Sequence, residues 1–376
     1  MERLIRRFHQ IKLAVIFACC KACSFLSRQK HWVLYERGTD ARDNAYFFYR
    51  YLKEKHPEQK LYYIIDKHSA DYPKVHEDAV QFGSLKNYWV LATAKKVIST
   101  HCYGGLPHVN TKLFRFFKLH KKHYFLQHGV TKDDIAALHF DQTGVQLFIC
   151  GGKPEYDYIC QEFGYPQGAV QYTGFARYDT LHDVKTKNQI LIMPTWRMYL
   201  RKEKQLLESE YYRQWNRLLT DPQLAEYLEQ NDLSAIFYPH YEVQKYLHHF
   251  HPISNRIVLA DFANYDVQTL LKESKLLVTD YSSVFFDFAY MRKPVVYFQF
   301  DQEEFFSKHY HRGYFSYQTM GFGPVTQNVA ATVASIMESG DGDFSPTDTY
   351  AQRMETFFPL YDQNNCARVY DAICSL

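Results

Sequence analysis

Two hydroxyl residues at a strand-to-helix turn are the first candidates for chemistry in this chain. Lys275-Leu-Leu-Val278 has the apolar, β-branched character of a buried strand, and Val284-Phe-Phe-Asp-Phe-Ala-Tyr290 reads as a helix. Ser282 and Ser283 therefore fall where a helix leaves backbone N–H groups without partners and points the positive end of its dipole. Such a bend suits an anion, phosphate in particular. The plainer alternative is that Asp280 or Ser282 only caps the helix. A second candidate is His128, in Phe125-Leu-Gln-His-Gly-Val-Thr-Lys132. Imidazole titrates near neutrality and can take a proton at physiological pH; Gly129 beside it lets the backbone turn tightly and a ligand approach. A lone histidine after a strand is more often structural. His101, His108, His120, His123 and His139 crowd the same region, so histidine alone discriminates little there. His101 stands out among them because it closes a strand and precedes Gly104-Gly105.

The elements that must position these residues alternate. Strands are expected at Trp32–Tyr35, Leu61–Ile65, Lys96–Ser99, Tyr124–Leu126 and Gln146–Ile149, with helices at Asn44–Lys55 and Leu85–Ala94. The pattern resumes with strands at Ile190–Met193, Ala235–Tyr238, Arg256–Leu259, Leu276–Val278 and Val295–Phe298. Short apolar strands separated by helices argue for parallel sheets covered on both faces. We expect an α/β protein with two Rossmann-like domains facing a central cleft, over residues 31–182 and 183–345, with helices at 346–376 returning across the first. In open α/β sheets ligands bind beyond the carboxyl ends of strands. His128, Pro239-His240 and the Asp280–Ser283 turn all meet that rule.

Thr279-Asp-Tyr-Ser-Ser-Val-Phe-Phe-Asp-Phe-Ala289, followed by Lys293-Pro-Val-Val-Tyr-Phe298 and Asp301, resembles the signature of the CDP-glycerol glycerophosphotransferase family. Glu36-Arg37, Ala41-Arg-Asp-Asn44, Gln127-His-Gly129, Gly174-Phe-Ala-Arg-Tyr-Asp179 and Pro194-Thr-Trp-Arg197 resemble the family's other blocks in the same order. The resemblance runs from Trp32 to beyond Pro324. It implies a GT-B-like fold and transfer of glycerol phosphate from CDP-glycerol to a hydroxyl of a lipid-linked or polymeric acceptor, in teichoic acid or capsule-type synthesis. It also implies His128 as catalytic base and His240 as a contact to the donor diphosphate. Gly129, Arg197, Thr279, Ser282, Ser283, Asp287 and Arg312 are the expected donor-binding residues. The competing readings are a structural ion pair for Arg197, shaping of the turn for Thr279, and ordering of the loop or a solvated helix position for Asp287. The family continues His-Gly-Thr-Pro where this chain has His-Gly-Val-Thr, which alters the surroundings of the acceptor. The chain is also expected to be a primase or capsule-decorating enzyme, since it has no counterpart of the extra amino-terminal domain of long polymerases. Alternatives are CDP-ribitol as donor, a sugar-nucleotide glycosyltransferase on the same scaffold, or a catalytically silent membrane scaffold. No Gly-rich phosphate loop occurs, and the lone Asp-x-Asp, Asp341-Gly-Asp343, lies in the carboxyl-terminal tail away from the strand-end turns that carry the other candidates, so no metal is implied; a solvent-bound Mg²⁺ is compatible with the sequence.

Composition fits this class. The 376 residues are 46% hydrophobic and 23% charged, as expected of globular domains. The net charge of +3 is unevenly spread: residues 1–30 carry seven Lys/Arg against Glu2, leaving 37 basic and 40 acidic residues elsewhere. A basic segment on a near-neutral body points to an anionic membrane surface rather than nucleic acid. Leu4, Ile5, Phe8, Ile11 and Val15 recur at helical spacing, with Arg6, Arg7 and Lys12 between them, and the apolar run is too short to span a bilayer. We expect a membrane-surface helix here and a peripheral protein at the cytoplasmic face; an ordinary helix packed on the domain is the alternative. Lys112–Lys122 sets five basic residues among three Phe and two Leu, and Arg115, Lys118 and Lys122 would share a face toward lipid or a phosphate-rich acceptor. Among the eight Cys, Cys20 and Cys23 form a single CxxC and no second such pair accompanies it, which disfavours a zinc site and favours a reducing compartment.

Overall fold

Apolar runs too short for helices become the strands of two parallel sheets. The computed structural model describes residues 11, 14–23, 31–102, 105–107, 122–308 and 311–376. Arg6, Arg7, Lys12, Arg115 and Lys118 lie outside the described residues. The chain divides into two compact units: unit 1 takes the chain up to Val130, Ala136–Thr180 and Asp362–Leu376, and unit 2 takes Thr131–Ile135 and Leu181–Tyr361.

Among the described residues, unit 1 holds β1 (Trp32–Tyr35), β2 (Leu61–Ile65), β3 (Ala79–Gln81), β4 (Lys96–Ser99), β5 (His123–Phe125), β6 (Leu147–Cys150) and β7 (Val170–Tyr172). They form one sheet in the order β3-β2-β1-β4-β5-β6-β7. Every pairing is parallel, as in Val33↔Val97 and Ile98↔Tyr124. Unit 2 holds β8 (Gln189–Met193), β9 (Ser234–Phe237), β10 (Ile257–Leu259), β11 (Leu276–Thr279), β12 (Val295–Phe298) and β13 (Val325–Thr326). Their order is β10-β9-β8-β11-β12-β13, again all parallel. Parallel sheets carry helices on both faces. Accordingly β1, β4, β6, β11 and β12 are buried at every position. The core of unit 2 gathers Ile190, Ile192, Phe237, Val278 and Phe298 around Trp215, which is 0% exposed.

The carboxyl-terminal helix Asn365–Cys374 belongs to unit 1. Asp179 anchors it, accepting from Asn365 N (2.8 Å), Asn365 Nδ2 (2.7 Å) and Cys366 N (2.9 Å). Gly174, at φ +74°, makes the approach possible: a Cβ there would lie 1.9 Å from Asn365 Oδ1.

Residues 14–23 are helical. Phe17, 1% exposed, packs with Val33, Tyr35 and Ile64, and Ala14, Ile16 and Cys20 support it. This part of the helix is therefore docked on unit 1, while Ile11 (63% exposed) and Val15 (57% exposed) face outward. Among the described residues no helix is long and apolar enough to cross a membrane.

Candidate active site

In unit 1, β5 delivers the chain into Leu126-Gln127-His128-Gly129. The left-handed torsion of this turn falls on Gln127, at φ +57°, two residues before Gly129. A residue with a Cβ holds that conformation at a cost of about 1 kcal/mol or more, so neighbours must over-determine it. Gln127 is buried, and its Nε2 donates to Ile149 O (2.7 Å) and Glu155 Oε1 (2.9 Å). From the other side Asn44 Nδ2 donates to the carbonyls of Leu126 (3.3 Å) and Gln127 (2.8 Å). Asn44 is itself fixed as the first residue of the helix Asn44–Lys55 and accepts from Arg177 N at 3.2 Å. Glu36 orders the approach to that helix by accepting from the backbone N–H groups of Arg42 (3.1 Å), Asp43 (2.8 Å) and Tyr46 (3.2 Å). Burial and the Asp43 charge push the Glu36 carboxyl up to about 8. The Glu36-Arg37, Ala41–Asn44 and Gly174–Asp179 blocks thus scaffold the His128 loop. Their sequence shows order and spacing; that Asn44 and Arg177 serve the histidine became visible only in three dimensions.

His128 is exposed to solvent. The crowding of protein around it disfavours the charged form, and the nearby Arg37 and Arg177 guanidiniums oppose a further positive charge. Together they hold it down to about 4, against one hydrogen bond with the Thr100 backbone that favours charge. The resting imidazole is neutral at pH 7, as a base requires.

In unit 2 the predicted donor residues lie on loops at the carboxyl ends of neighbouring strands. His240 follows β9 and Ser282-Ser283 follow β11; with β8 between them, the two strand ends are about 10 Å apart. Trp196, after β8, stacks on the His240 ring at 5.8 Å and 9°. His240 Nδ1 accepts from Glu242 N at 3.3 Å, which assigns the ring proton to Nε2. Neutral His240 is thus a hydrogen-bond donor at Nε2 without taking up a second proton.

Ser283 sits at the N-cap of the helix Val284–Tyr290, yet its side chain makes no capping bond. Among the described residues the hydroxyls of Ser282 and Ser283 have no hydrogen-bond partner. Asp280 does not cap the helix either. Its Oδ1 accepts from Thr195 N (2.8 Å) and Tyr281 N (2.6 Å). Arg312 is exposed, with its guanidinium over the Phe306 ring at 4.6 Å and no carboxylate partner among the described residues. Its loop is seated by the Asp134–His311 backbone bridge and by Gly313, where a Cβ would lie 2.4 Å from Lys132 O.

Four expectations change. Arg197 is 0% exposed. Its Nε and NH2 grip Asp301 (2.8 and 3.0 Å), NH2 also reaches Asp280 (2.9 Å), and NH1 donates to Thr195 O (2.7 Å). Every donor group is engaged, so Arg197 clamps three loops, those after β8, β11 and β12, and does not touch phosphate. Thr279 is buried and its hydroxyl donates to Met193 O at 2.6 Å. Asp287 is 3% exposed, too enclosed to hold a ribose. Lys122, expected to face lipid or acceptor, donates instead to the carbonyls of Leu91 (3.1 Å), Ala92 (3.3 Å) and Ala94 (2.8 Å) at the end of the helix Leu85–Thr93. One group of His and carboxylate ligands with metal-compatible spacing occurs among the described residues, Glu203 with His248 and His249. It lies at the surface, and His249 is already bonded to Glu203 at 2.7 Å.

A model of the family described as CDP-Glycerol:Poly(glycerophosphate) glycerophosphotransferase matches residues 17–375. The chain is 31% identical over 370 residues to the minor teichoic acid biosynthesis protein GgaB of Bacillus subtilis (strain 168), covering 94% of this chain and 40% of that protein. It is 26% identical over 358 residues to the teichoic acid poly(glycerol phosphate) polymerase of the same strain, covering 85% of this chain and 44% of that one. The chain therefore spans less than half the length of these two relatives. Its fold is similar to that of the wall teichoic acid polymerase TagF, with a TM-score of 0.69 at 16% identity over 100% of this chain and 97% of the other.

Proposed function

Because the chain belongs to the CDP-glycerol:poly(glycerophosphate) glycerophosphotransferase family, we propose that it transfers glycerol phosphate from CDP-glycerol to a hydroxyl of a lipid-linked or polymeric acceptor and releases CMP. The product would be a teichoic acid or capsule-type polymer. The family match through residues 17–375, which runs through both units, carries this reading. In the reaction the acceptor oxygen attacks the phosphorus that bears glycerol. A new P–O bond forms, the bond between the two phosphorus centres' bridging oxygen and that phosphorus breaks, and CMP departs with the electron pair. His128 takes the hydroxyl proton. Ser282, Ser283, His240 Nε2–H and Arg312 supply donors to the diphosphate oxygens, where negative charge builds on the leaving group. Arg197, Asp280 and Asp301 hold the loops that present them.

The protein is read as peripheral at the cytoplasmic face of the membrane. The outward Ile11 and Val15 on a segment rich in Lys and Arg support that placement. A second reading replaces glycerol with ribitol. It is favoured by 26% identity over 147 residues to the teichoic acid ribitol-phosphate primase of Bacillus spizizenii. CMP release with CDP-glycerol, CDP-ribitol and UDP-sugars in parallel tests both. Turnover confined to CDP-glycerol supports the first, and turnover confined to CDP-ribitol the second. Release of UDP alone refutes both.

A further inference from the structure

We propose that Arg37 and His101 form a positioning pair that holds the His128 ring in one orientation and one tautomer. The inference rests on His128 being the base. The His101 ring lies parallel to His128, 9° from coplanar with centroids 5.1 Å apart, so it forms a flat shelf that restricts rotation of the neighbouring imidazole. The shelf is fixed on every side. Arg37 Nε donates to His101 Nε2 at 3.3 Å. A guanidinium has no acceptor, so Nε2 must present its lone pair and the ring proton must sit on Nδ1. That Nδ1 bonds Thr100 Oγ1 at 3.0 Å. The backbone is held as well: the His101 carbonyl accepts from Ser99 Oγ at 2.6 Å, and Ser99 Oγ in turn bonds the buried His123 Nε2 at 2.6 Å.

The same dipeptide reaches His128 twice. His101 supplies the stacking plane, and the Thr100 backbone accepts a hydrogen bond from the His128 ring. One His128 nitrogen is therefore the protonated one, and the other keeps its lone pair for the acceptor hydroxyl. Within unit 1 the charged groups near this assembly are Arg37, 3.9 Å from Asp40, and Arg177, 3.0 Å from Asp43. Arg37 disfavours a protonated His101 or His128, and Arg177 a protonated His128. Burial, His128 and Arg37 push His101 down to about 3, which agrees with the lone pair it must offer to Arg37. Neither Arg37 nor His101 needs to touch substrate to act in this way.

The test uses the full chain with His101→Ala, which removes shelf and acceptor, and His101→Phe, which keeps a stacking plane but cannot accept from Arg37. Readouts are CMP release from CDP-glycerol, the Kd for CDP-glycerol, and the ¹⁵N shifts of the His128 ring by NMR. A reacting group displaced by about 1 Å loses on the order of 100-fold in rate. His101→Ala is therefore expected to lower kcat by about 10- to 100-fold with an unchanged Kd, and His101→Phe by less. In both, the His128 ring nitrogens should shift from one tautomer toward a mixture. Unchanged kcat together with unchanged His128 shifts overturns the proposal, whichever variant shows it. Thermal melts screen for folding; if His101→Ala does not fold, His101→Phe decides. His128→Ala is the separate control. Wild-type turnover in that variant removes the base itself, whereas loss of turnover there with active His101 variants removes only the positioning pair.

Discussion

Replacing Arg197 with methionine separates two roles that its place in Pro194-Thr-Trp-Arg197 left open. The side chain is 0% exposed and makes charge-assisted contacts to Asp301 and Asp280 at 2.8 to 3.0 Å, with a further bond to Thr195 O. Three rings surround the guanidinium at 4.9 to 5.1 Å, those of Tyr211, Tyr281 and Phe305. Methionine fills much of this volume but leaves two carboxylates buried without their cation. Removing one partner of a buried pair costs about 3–5 kcal/mol, because the remaining charge is neither solvated nor paired. For a unit of this size each kcal/mol moves Tm by about 2–4 °C. Arg197→Met should therefore lower the unfolding temperature by roughly 6–20 °C.

The companion measurement is CDP-glycerol affinity at a temperature where the variant is still folded. If Arg197 acted on phosphate directly, affinity would fall and Tm would hold. The structure requires the reverse order: a large loss of Tm, with donor binding weakened only as far as the Asp280 turn loosens. Adding Asp280→Asn and Asp301→Asn to Arg197→Met should restore part of the lost stability, since it removes the uncompensated charges. A single variant that melts within 2 °C of the parent while losing donor affinity would refute the clamp argument.

His128→Ala should abolish CMP release while calorimetry finds CDP-glycerol binding intact; a fully active variant removes the base. The neutral base is lost only as pH falls through its own pKa, held at about 4 instead of 6.5. The acid limb of kcat/KM should therefore lie below pH 6, and Arg37→Ala should move it upward; a limb at 6.5 in both proteins contradicts the assigned environment. Ser283→Ala should weaken CDP-glycerol binding by roughly 1–3 kcal/mol. Its Tm should stay unchanged, because the hydroxyl makes no capping bond; a fall in Tm without a change in Kd would mean that it caps after all. Gly174→Ala places a Cβ 1.9 Å from Asn365 Oδ1 at φ +74°, so amides of the carboxyl-terminal helix should lose hydrogen-exchange protection before those of β1; equal protection would contradict the docking.

What the sequence made legible followed from period and spacing. Strand-length apolar runs such as Leu276–Thr279 can be buried on both faces only in a parallel sheet, and the alternation with helices gave two such sheets. The serine turn was legible because a strand end and a helix start bracket it. The sequence could not say which polar residues are spent on structure. Arg197, Thr279 and Asp287 look like Ser283 in a linear motif, yet they are buried and Ser283 is not. Burial of this kind depends on partners over a hundred residues away, as in Arg197 with Asp301. Gln127 illustrates the same limit: its left-handed torsion is held by Ile149, Glu155 and Asn44, partners that the local sequence does not reveal.

Lys122 shows the misreading and its cause most clearly, because unit 2 contains the same device. Lys293 donates to the carbonyls of Leu271 (2.7 Å), Lys272 (2.8 Å) and Ser274 (2.7 Å) at the end of the helix Val267–Glu273. Lys122 does so to Leu91, Ala92 and Ala94 after the helix Leu85–Thr93. In each case the acceptors are the residues two and one before the helix's last, and the residue after it. In each case the helix leads into the strand beside the lysine's own, β4 next to β5 and β11 next to β12. A helix end leaves carbonyls without intrahelical partners and carries partial negative charge. An ammonium arriving one or two residues ahead of the adjacent parallel strand meets those carbonyls directly. Burial opposes the charge and holds Lys293 down to about 7 and Lys122, where Lys21 adds to the effect, to about 8. A basic residue in this position is therefore read correctly only from the topology: the strand that follows it and the helix that precedes the neighbouring strand determine its partners. A charge pattern on one helix face, the signal used at Lys112–Lys122, cannot contain that information.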